Sequence, residues 1–167
     1  MKTTLITGGL GFIGSNICDS LLQKKYTNKC ILLDNFGGYM NPIKDSFVDF
    51  RKQRFPSLKN IIIERCDTSN YKALSSIINK YKPNYIYHTA ALPLAKVSNL
   101  NNEEAKISSV DSTVNIIDAI NLLKNSNQKY QFDRFVYFSS SMVYGDFKKS
   151  TVTEESEKNP KDAYGIM

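Results

Sequence analysis

The sequence predicts an α/β protein with a doubly wound parallel sheet, and three observations carry that prediction. Short β-branched or aromatic runs alternate with longer segments of helical periodicity, four times over. The short runs are apolar almost throughout, as strands covered on both faces are, where a half-exposed strand would alternate apolar with polar. The first run also passes directly into a glycine-rich turn that opens a helical segment. Repeated strand-helix-strand units of this kind join through right-handed crossovers. The 167 residues suit one domain, 1–167.

Taken in chain order, the strands are expected around Thr4-Leu5-Ile6, Cys30–Leu33, Ile61–Ile63, Tyr85–Tyr87 and Phe135–Phe138. After the first of them, Ile13, Ile17 and Leu21 repeat every four residues and mark one helix face. The region from Asn35 to Ser57 holds Gly37-Gly38, Pro42 and Pro56, which reads as a loop with a short helix around Asp45–Arg54. Leu74, Ile77, Ile78 and Tyr81 fall at i, i+3, i+4, i+7 of a second helix. From Glu103 to Lys124 two stripes run along a third, Ile107/Val110/Val114/Ile117 and Ile116/Ile120/Leu123, which predicts burial over a broad face. From Lys148 to Asp162 the chain is polar and reads as a surface loop.

Composition narrows the function classes. Twenty-two Lys+Arg against sixteen Asp+Glu give a net charge of +6, but the excess is scattered as pairs and singles without aromatic interleaving. A nucleic-acid binder concentrates it in a patch, so no nucleic-acid partner is expected, and the surface at most attracts anionic small molecules. No apolar run approaches the ~20 residues a membrane span needs, and no hydrophobic leader with a cleavage site opens the chain, so a cytoplasmic location is expected. Cys18, Cys30 and Cys66 show no CxxC spacing and are odd in number, which fits buried reduced thiols and neither a disulfide framework nor a zinc site.

The segment Thr7-Gly8-Gly9-Leu10-Gly11-Phe12-Ile13-Gly14 has glycines at 8, 11 and 14, and satisfies GxGxxG through 9, 11 and 14. Three glycines at one fixed spacing arise by chance in roughly one chain in twenty of this length, so context supplies the specificity. A phosphate-binding turn must leave a strand tightly, bring backbone N–H groups to a pyrophosphate and pass the anion to a helix N-terminus. The first strand-helix junction meets these requirements. The second strand then ends on Asp34, twenty residues after Gly14, the spacing of a carboxylate that accepts from the adenosine ribose hydroxyls. A carboxylate there repels a 2′-phosphate and favours NAD over NADP.

With those residues the chain resembles the extended short-chain dehydrogenase/reductase family, the NAD-dependent nucleotide-sugar epimerases and dehydratases. The resemblance spans the whole chain. It rests on the glycine segment, Asp34-Asn35 after strand two, Asp67 after strand three, His88-Thr89-Ala90-Ala91 after strand four, and Ser139-Ser140-Ser141-Met142-Val143-Tyr144-Gly145 after strand five. Thr153-Glu154, Asn159-Pro160 and Tyr164-Gly165 follow in the family's order. It implies a Rossmann-type sheet, incomplete at the C-terminus. Position by position, Phe12 and Ile13 are expected to offer N–H groups to the pyrophosphate, with Gly8, Gly11 and Gly14 shaping the turn. Asp34 and Asn35 are expected at the adenosine ribose, Asp67 with Thr68 at the adenine edge, and Thr89, Ala90, Ala91 and Leu92 along the nicotinamide ribose. One position departs: an Asn is usual in the helix after strand four, where this chain has Asp111, which keeps the acceptor and loses the amide donor. His88 is the single histidine, and in the family's motif that position is structural.

The same resemblance implies the chemistry. Tyr164, also expected at the cofactor, is the acid/base toward a sugar hydroxyl, Ser140 hydrogen-bonds the same oxygen, and a lysine four residues beyond the tyrosine binds the nicotinamide ribose and favours the phenolate. Tyrosine titrates near 10, so work at neutral pH requires a lowering of roughly three pH units, about 4 kcal/mol. That lysine falls one position past Met167. The chain is therefore expected to be the N-terminal part of a longer enzyme, inactive alone, whose remaining strands and substrate domain lie elsewhere. Family dehydratases carry an Asp-Glu pair directly after the Ser/Thr, and decarboxylases usually a Glu at the second position. Ser141 and Met142 stand there, so an epimerase is favoured, with a dehydrogenase/reductase or decarboxylase as alternatives of the same family and a non-catalytic NAD-binding module as one of another class. The implied partners are a nucleotide-sugar and a second copy, a homodimer packed through the helix at 103–124 and one beginning near Tyr164. No metal is expected.

Overall fold

The computed structural model describes residues 2–37, 52–53, 55, 57–92, 101–148 and 150–167. Its strands are β1 (Thr3–Thr7), β2 (Lys29–Asp34), β3 (Ile61–Arg65), β4 (Tyr85–His88) and β5 (Arg134–Tyr137). Each overlaps one of the five apolar runs of the sequence, β5 ending one residue before the expected Phe138. They pair in parallel as a single sheet in the order β3-β2-β1-β4-β5. The chain therefore starts at the centre, winds outward to β3, then crosses to build the other half. The reversal lies between β1 and β4, and the crevice at such a switch point, at the carboxyl ends of the strands, is where open α/β sheets bind ligands.

The helices are α1 (Phe12–Gln23), α2 (Tyr71–Tyr81), α3 (Asn102–Lys106), α4 (Ser112–Ser126) and α5 (Ala163–Ile166). A π-helical turn at Ile107–Asp111 joins α3 to α4, and a 3₁₀ turn occupies Ser141–Tyr144. Side chains of β2 alternate between two cores, as the period of two along a strand demands. Ile31 and Leu33 pack with Leu5 and Ile86 against Leu74 and Ile78 of α2 and Ile116, Ala119, Ile120 and Leu123 of α4. Cys30 and Leu32 pack on the other face with Ile6, Leu10, Cys18 and Phe55. Burying each large apolar side chain contributes about 1.5–3 kcal/mol, so the sheet's central strands carry most of the stability that positions the site.

Three expectations change. Ile13 is not on the buried face of α1: it is half exposed, and Gly14, Ser15 and Cys18 face inward with Ile17, Leu21 and Leu22 beside them. The helix N-terminus is pressed so tightly onto the glycine turn that only glycine fits its inner side. The helix after β4 buries one stripe instead of two. Ile116, Ile120 and Leu123 are covered, while Val114 and Ile117 remain 48% and 42% exposed and Ile107 lies in the π turn, also exposed. The edge strands β3 and β5 are only half covered. The short helix expected around 45–54 lies almost wholly outside the described residues.

Cys18, Cys30 and Cys66 are free and buried. The neighbouring Cys30 and burial push the Cys18 thiol up. The polar segment after Lys148 is an exposed loop closed by the Lys148–Glu157 ion pair at 2.5 Å. Among the described residues no helix is long and apolar enough to cross a membrane.

Candidate functional site

The first wall of the crevice is the turn between β1 and α1. Gly8 adopts φ +64°, a left-handed conformation that costs other residues, and a Cβ there would meet the Ala90 nitrogen at 3.0 Å. The turn closes with the Gly11 N–H donating to the Gly8 carbonyl at 2.9 Å. A methyl group on Gly14 would collide with that carbonyl and approach the Gly9 Cα at 2.9 Å. Glycine at 8 and 14 therefore lets the turn, the helix start and the loop after β4 approach one another. Gly11 begins α1 with no side-chain cap. The N–H groups of the first helical turn, those of Phe12 and Ile13 among them, have no intrahelical acceptors. Phe12 itself is 78% exposed.

Asp34, at the carboxyl end of β2, is buried beside this turn. Its carboxylate accepts from the Leu10 N–H at 3.1 Å and from the Phe36 N–H at 2.9 Å. One carboxylate thus ties the glycine turn to the loop after β2. Asn35 is exposed; its amide donates to Asp67 at 3.1 Å, and its oxygen accepts from the Gly37 N–H at 2.8 Å. Burial pushes the Asp67 carboxyl up, but the hydroxyl of Ser69, the Asn35 amide and the Ser69 N–H outweigh it and hold the group below its ordinary value. Asp34, Asn35 and Asp67 therefore form one acidic, hydrogen-bonded rim. Asn115 of α4 clamps it from behind, donating to the carbonyls of Thr68 at 3.1 Å and Ser69 at 3.0 Å. Thr68 is buried.

The second wall follows β4. Thr89 donates through its hydroxyl to the Thr7 carbonyl at 2.6 Å, and the Ala90 N–H donates to the Thr7 hydroxyl at 3.2 Å. These bonds hold Thr89 and Ala90 against β1. A cavity of about 130 Å³ opens beside them, lined by Thr89, Ala90 and Ala91, by Ser140 and by Tyr164, among other residues. The structure thus brings together both expected catalytic residues and three of the four expected nicotinamide-side residues; Leu92 is half-buried outside the cavity lining. Ser140 Oγ accepts from the Met142 N–H at 3.2 Å, starting the 3₁₀ turn. Its own hydroxyl proton stays available for a donated bond. Tyr164 lies in α5, whose start is capped by Asp162 accepting from the Gly165 N–H at 2.8 Å.

Tyr137 and Ser109 line the cavity without having been expected at the site. Tyr137 ends β5 directly across from His88 in the strand register. Burial and the neighbouring Tyr164 phenol push the Tyr137 phenol above its usual value, so it stays protonated. The signal was its place as last residue of a strand at the carboxyl edge. Ser109 lines the same cavity, two residues before Asp111 in the helical stretch after β4. Asp111 instead pairs with Lys106, both its oxygens at 2.8 Å, on the exposed flank of the helix. Ile107–Asp111 form a π-helical turn, whose wider cycle changes which residues of this stretch share a face. No periodicity rule would have placed that turn. Among the described residues no group of three metal-binding side chains exists.

The model of the family described as GDP-mannose 4,6 dehydratase matches residues 5–167. The UDP-glucose 4-epimerase of Caenorhabditis elegans is 31% identical over 155 residues, which are 92% of this chain and 42% of that protein. A putative UDP-glucose 4-epimerase of Methanocaldococcus jannaschii is 31% identical over 164 residues, 97% of this chain and 46% of that one. A crystal structure of UDP-glucose-4-epimerase from Stenotrophomonas maltophila, with bound NAD and formylated UDP-arabinopyranose, superposes with a TM-score of 0.80 at 19% identity, covering 99% of this chain and 45% of that chain. At that identity the likeness is one of fold. The chain thus spans less than half the length of these relatives. A glycine turn, an acidic rim and a Ser/Tyr cavity around one switch point agree with the match along nearly the whole sequence: the chain belongs to the GDP-mannose 4,6 dehydratase family, within the extended short-chain dehydrogenases/reductases.

Proposed function

We propose that residues 1–167 form the NAD-binding part of a nucleotide-sugar epimerase. The observation that carries this reading is the single cavity holding Ser140, Tyr164 and the Thr89–Ala91 loop at the β1/β4 switch point. The donor chemistry fits the cofactor. An uncapped helix N-terminus beside three crowded glycines suits a pyrophosphate, and the buried Asp34 carboxylate suits ribose hydroxyls and repels a 2′-phosphate. Phe12 and Ile13 would hold the pyrophosphate, Asp34 and Asn35 the adenosine ribose, Asp67 and Thr68 the adenine edge, and Thr89, Ala90 and Ala91 the nicotinamide ribose. When bound, NAD supplies a reversible hydride acceptor.

This chain's own residues do the proton work. Tyr164 takes the proton of a sugar hydroxyl as that carbon is oxidised and returns it on reduction. Ser140 donates its hydroxyl to the same sugar oxygen and stabilises the charge that develops there. Dehydration needs an acid and a base directly after the serine, and Ser141 and Met142 can be neither. That supports epimerisation, and the names of the curated relatives agree with it. Calorimetry with NAD⁺ and NADP⁺ tests the cofactor reading: binding of NAD⁺ with NADP⁺ excluded is expected, and equal or absent binding overturns it. Incubating the complete gene product with UDP-glucose and analysing for the 4-epimer tests the reaction; a dehydrated or decarboxylated product refutes it.

The exposed stripe of Val114 and Ile117, continued by Ile107, supports a homodimer packed through this helix. Ile117→Asp is expected to halve the sedimenting mass of the complete protein; an unchanged dimer refutes this interface.

A further inference from the structure

His88 is 2% exposed, and both its ring nitrogens are engaged. Nδ1 lies 2.7 Å from Thr7 Oγ1, and Nε2 lies 3.2 Å from Ser112 Oγ. The partners determine where the protons are. Ser112 Oγ sits 2.5 Å from the Ser108 carbonyl oxygen, with the Ser109 carbonyl at 3.5 Å. Carbonyls only accept, so Ser112 commits its one hydroxyl proton to them and must accept from His88. Nε2 therefore carries the imidazole proton and Nδ1 is bare. Thr7 then donates its hydroxyl proton to Nδ1, and its oxygen accepts the Ala90 N–H at 3.2 Å.

The result is a chain of hydrogen bonds with every donor assigned. Ala90 N–H gives to Thr7, Thr7 to His88 Nδ1, His88 Nε2 to Ser112, and Ser112 to the Ser108 carbonyl. Both ends are placed at the site. Ala90 lines the cavity and lies close enough to Gly8 that a Cβ there would meet its nitrogen at 3.0 Å, while Ser108 lies in the π turn next to Ser109, which also lines the cavity.

We propose that His88 is a positioning residue that ties the cofactor-facing loop after β4 to the helical turn carrying Ser109, and so sets the width of the cavity between them. The role in cofactor binding rests on the NAD reading above; the hydrogen-bond chain does not. Burial lowers the imidazole to about 4, which keeps it the neutral linker this arrangement needs at physiological pH.

Long-range ¹H–¹⁵N correlation spectra of the protein without cofactor report the tautomer directly. The Nε2–H form is expected at pH 7; the Nδ1–H form or an imidazolium overturns the proposal. Two variants then separate positioning from mere packing. His88→Phe keeps a ring and loses both bonds. His88→Asn places an acceptor where Nδ1 was and keeps the Thr7 limb. In His88→Phe the amide resonances of Ala90 and Ser109 are both expected to shift, and NAD⁺ affinity to fall on the order of tenfold. In His88→Asn only Ser109 is expected to shift, with affinity within about threefold of the parent. Unmoved Ala90 in His88→Phe, or equal effects of the two variants, overturns it. Should the unmodified protein bind no NAD⁺, the cofactor reading fails, while the tautomer and the resonance shifts still decide the role of His88.

Discussion

Acidification from pH 7 is expected to weaken the fold through His88 well before the carboxylates contribute. The imidazole titrates at about 4 in the folded chain and at 6.5 when exposed. Between those values the unfolded chain binds a proton that the folded one does not, so stability falls as pH falls. The contribution is fully present above 6.5 and fully lost below about 4. The gap corresponds to about 3 kcal/mol in total, of which about 2 kcal/mol is lost between pH 7 and pH 5. Asp67 and Glu64 are held below their ordinary 3.8 and 4.5, so their stabilisation persists through that interval and is lost only at lower pH. Urea denaturation followed by circular dichroism at pH 7, 6 and 5 measures the loss. His88→Asn, which has nothing to titrate there, is expected to be less stable than the parent at pH 7 and nearly flat across the same interval. A parent whose unfolding free energy is unchanged between pH 7 and 5, or a variant that loses as much as the parent, would refute the reasoning.

Three further outcomes follow from the site. Gly14→Ala must push a methyl group into the Gly8 carbonyl, so a loss of about 1–3 kcal/mol in urea denaturation is expected, with NAD⁺ binding abolished in calorimetry. Asp34→Asn turns an amide N–H₂ toward either the Leu10 or the Phe36 N–H, costing about 1–3 kcal/mol, and should narrow the preference for NAD⁺ over NADP⁺ measured in parallel titrations. Asp111→Ala removes only the solvent-exposed pair with Lys106, so less than about 1 kcal/mol and no change in NAD⁺ affinity are expected; a large loss of affinity would return Asp111 to the cofactor site.

The three central strands were legible because a parallel sheet buries both their faces, as at Leu5-Ile6, Cys30–Leu33 and Ile86, and the half-covered edge strands β3 and β5 because their runs are short and apolar between helical segments. The glycine turn and Asp34 were legible because phosphate and ribose recognition demands fixed residue types at fixed spacing. Ile13 misled, since its period matched Ile17 and Leu21 while the tight turn at Gly14 decided which side of α1 faced inward. The two stripes on α4 misled for a related reason: periodicity shows that a face is apolar and not what covers it. The role of Asp111 was open in the sequence, and the structure pairs it with Lys106 at the end of the π turn.

The chain's own chemistry determined the fold class, the glycine turn and Asp34 after the second strand, which depend on local periodicity and on residue types at fixed spacing. Asp67 and the pair Ser140/Tyr164 were expected from the family resemblance. The tertiary structure decided the rest: that Tyr137 and Ser109 share the cavity with that pair, that Asp34 ties the turn to the next loop, and that His88 links Thr7 to Ser112. Each of these joins residues tens of positions apart, brought together by strand order and helix phase, which local patterns do not encode.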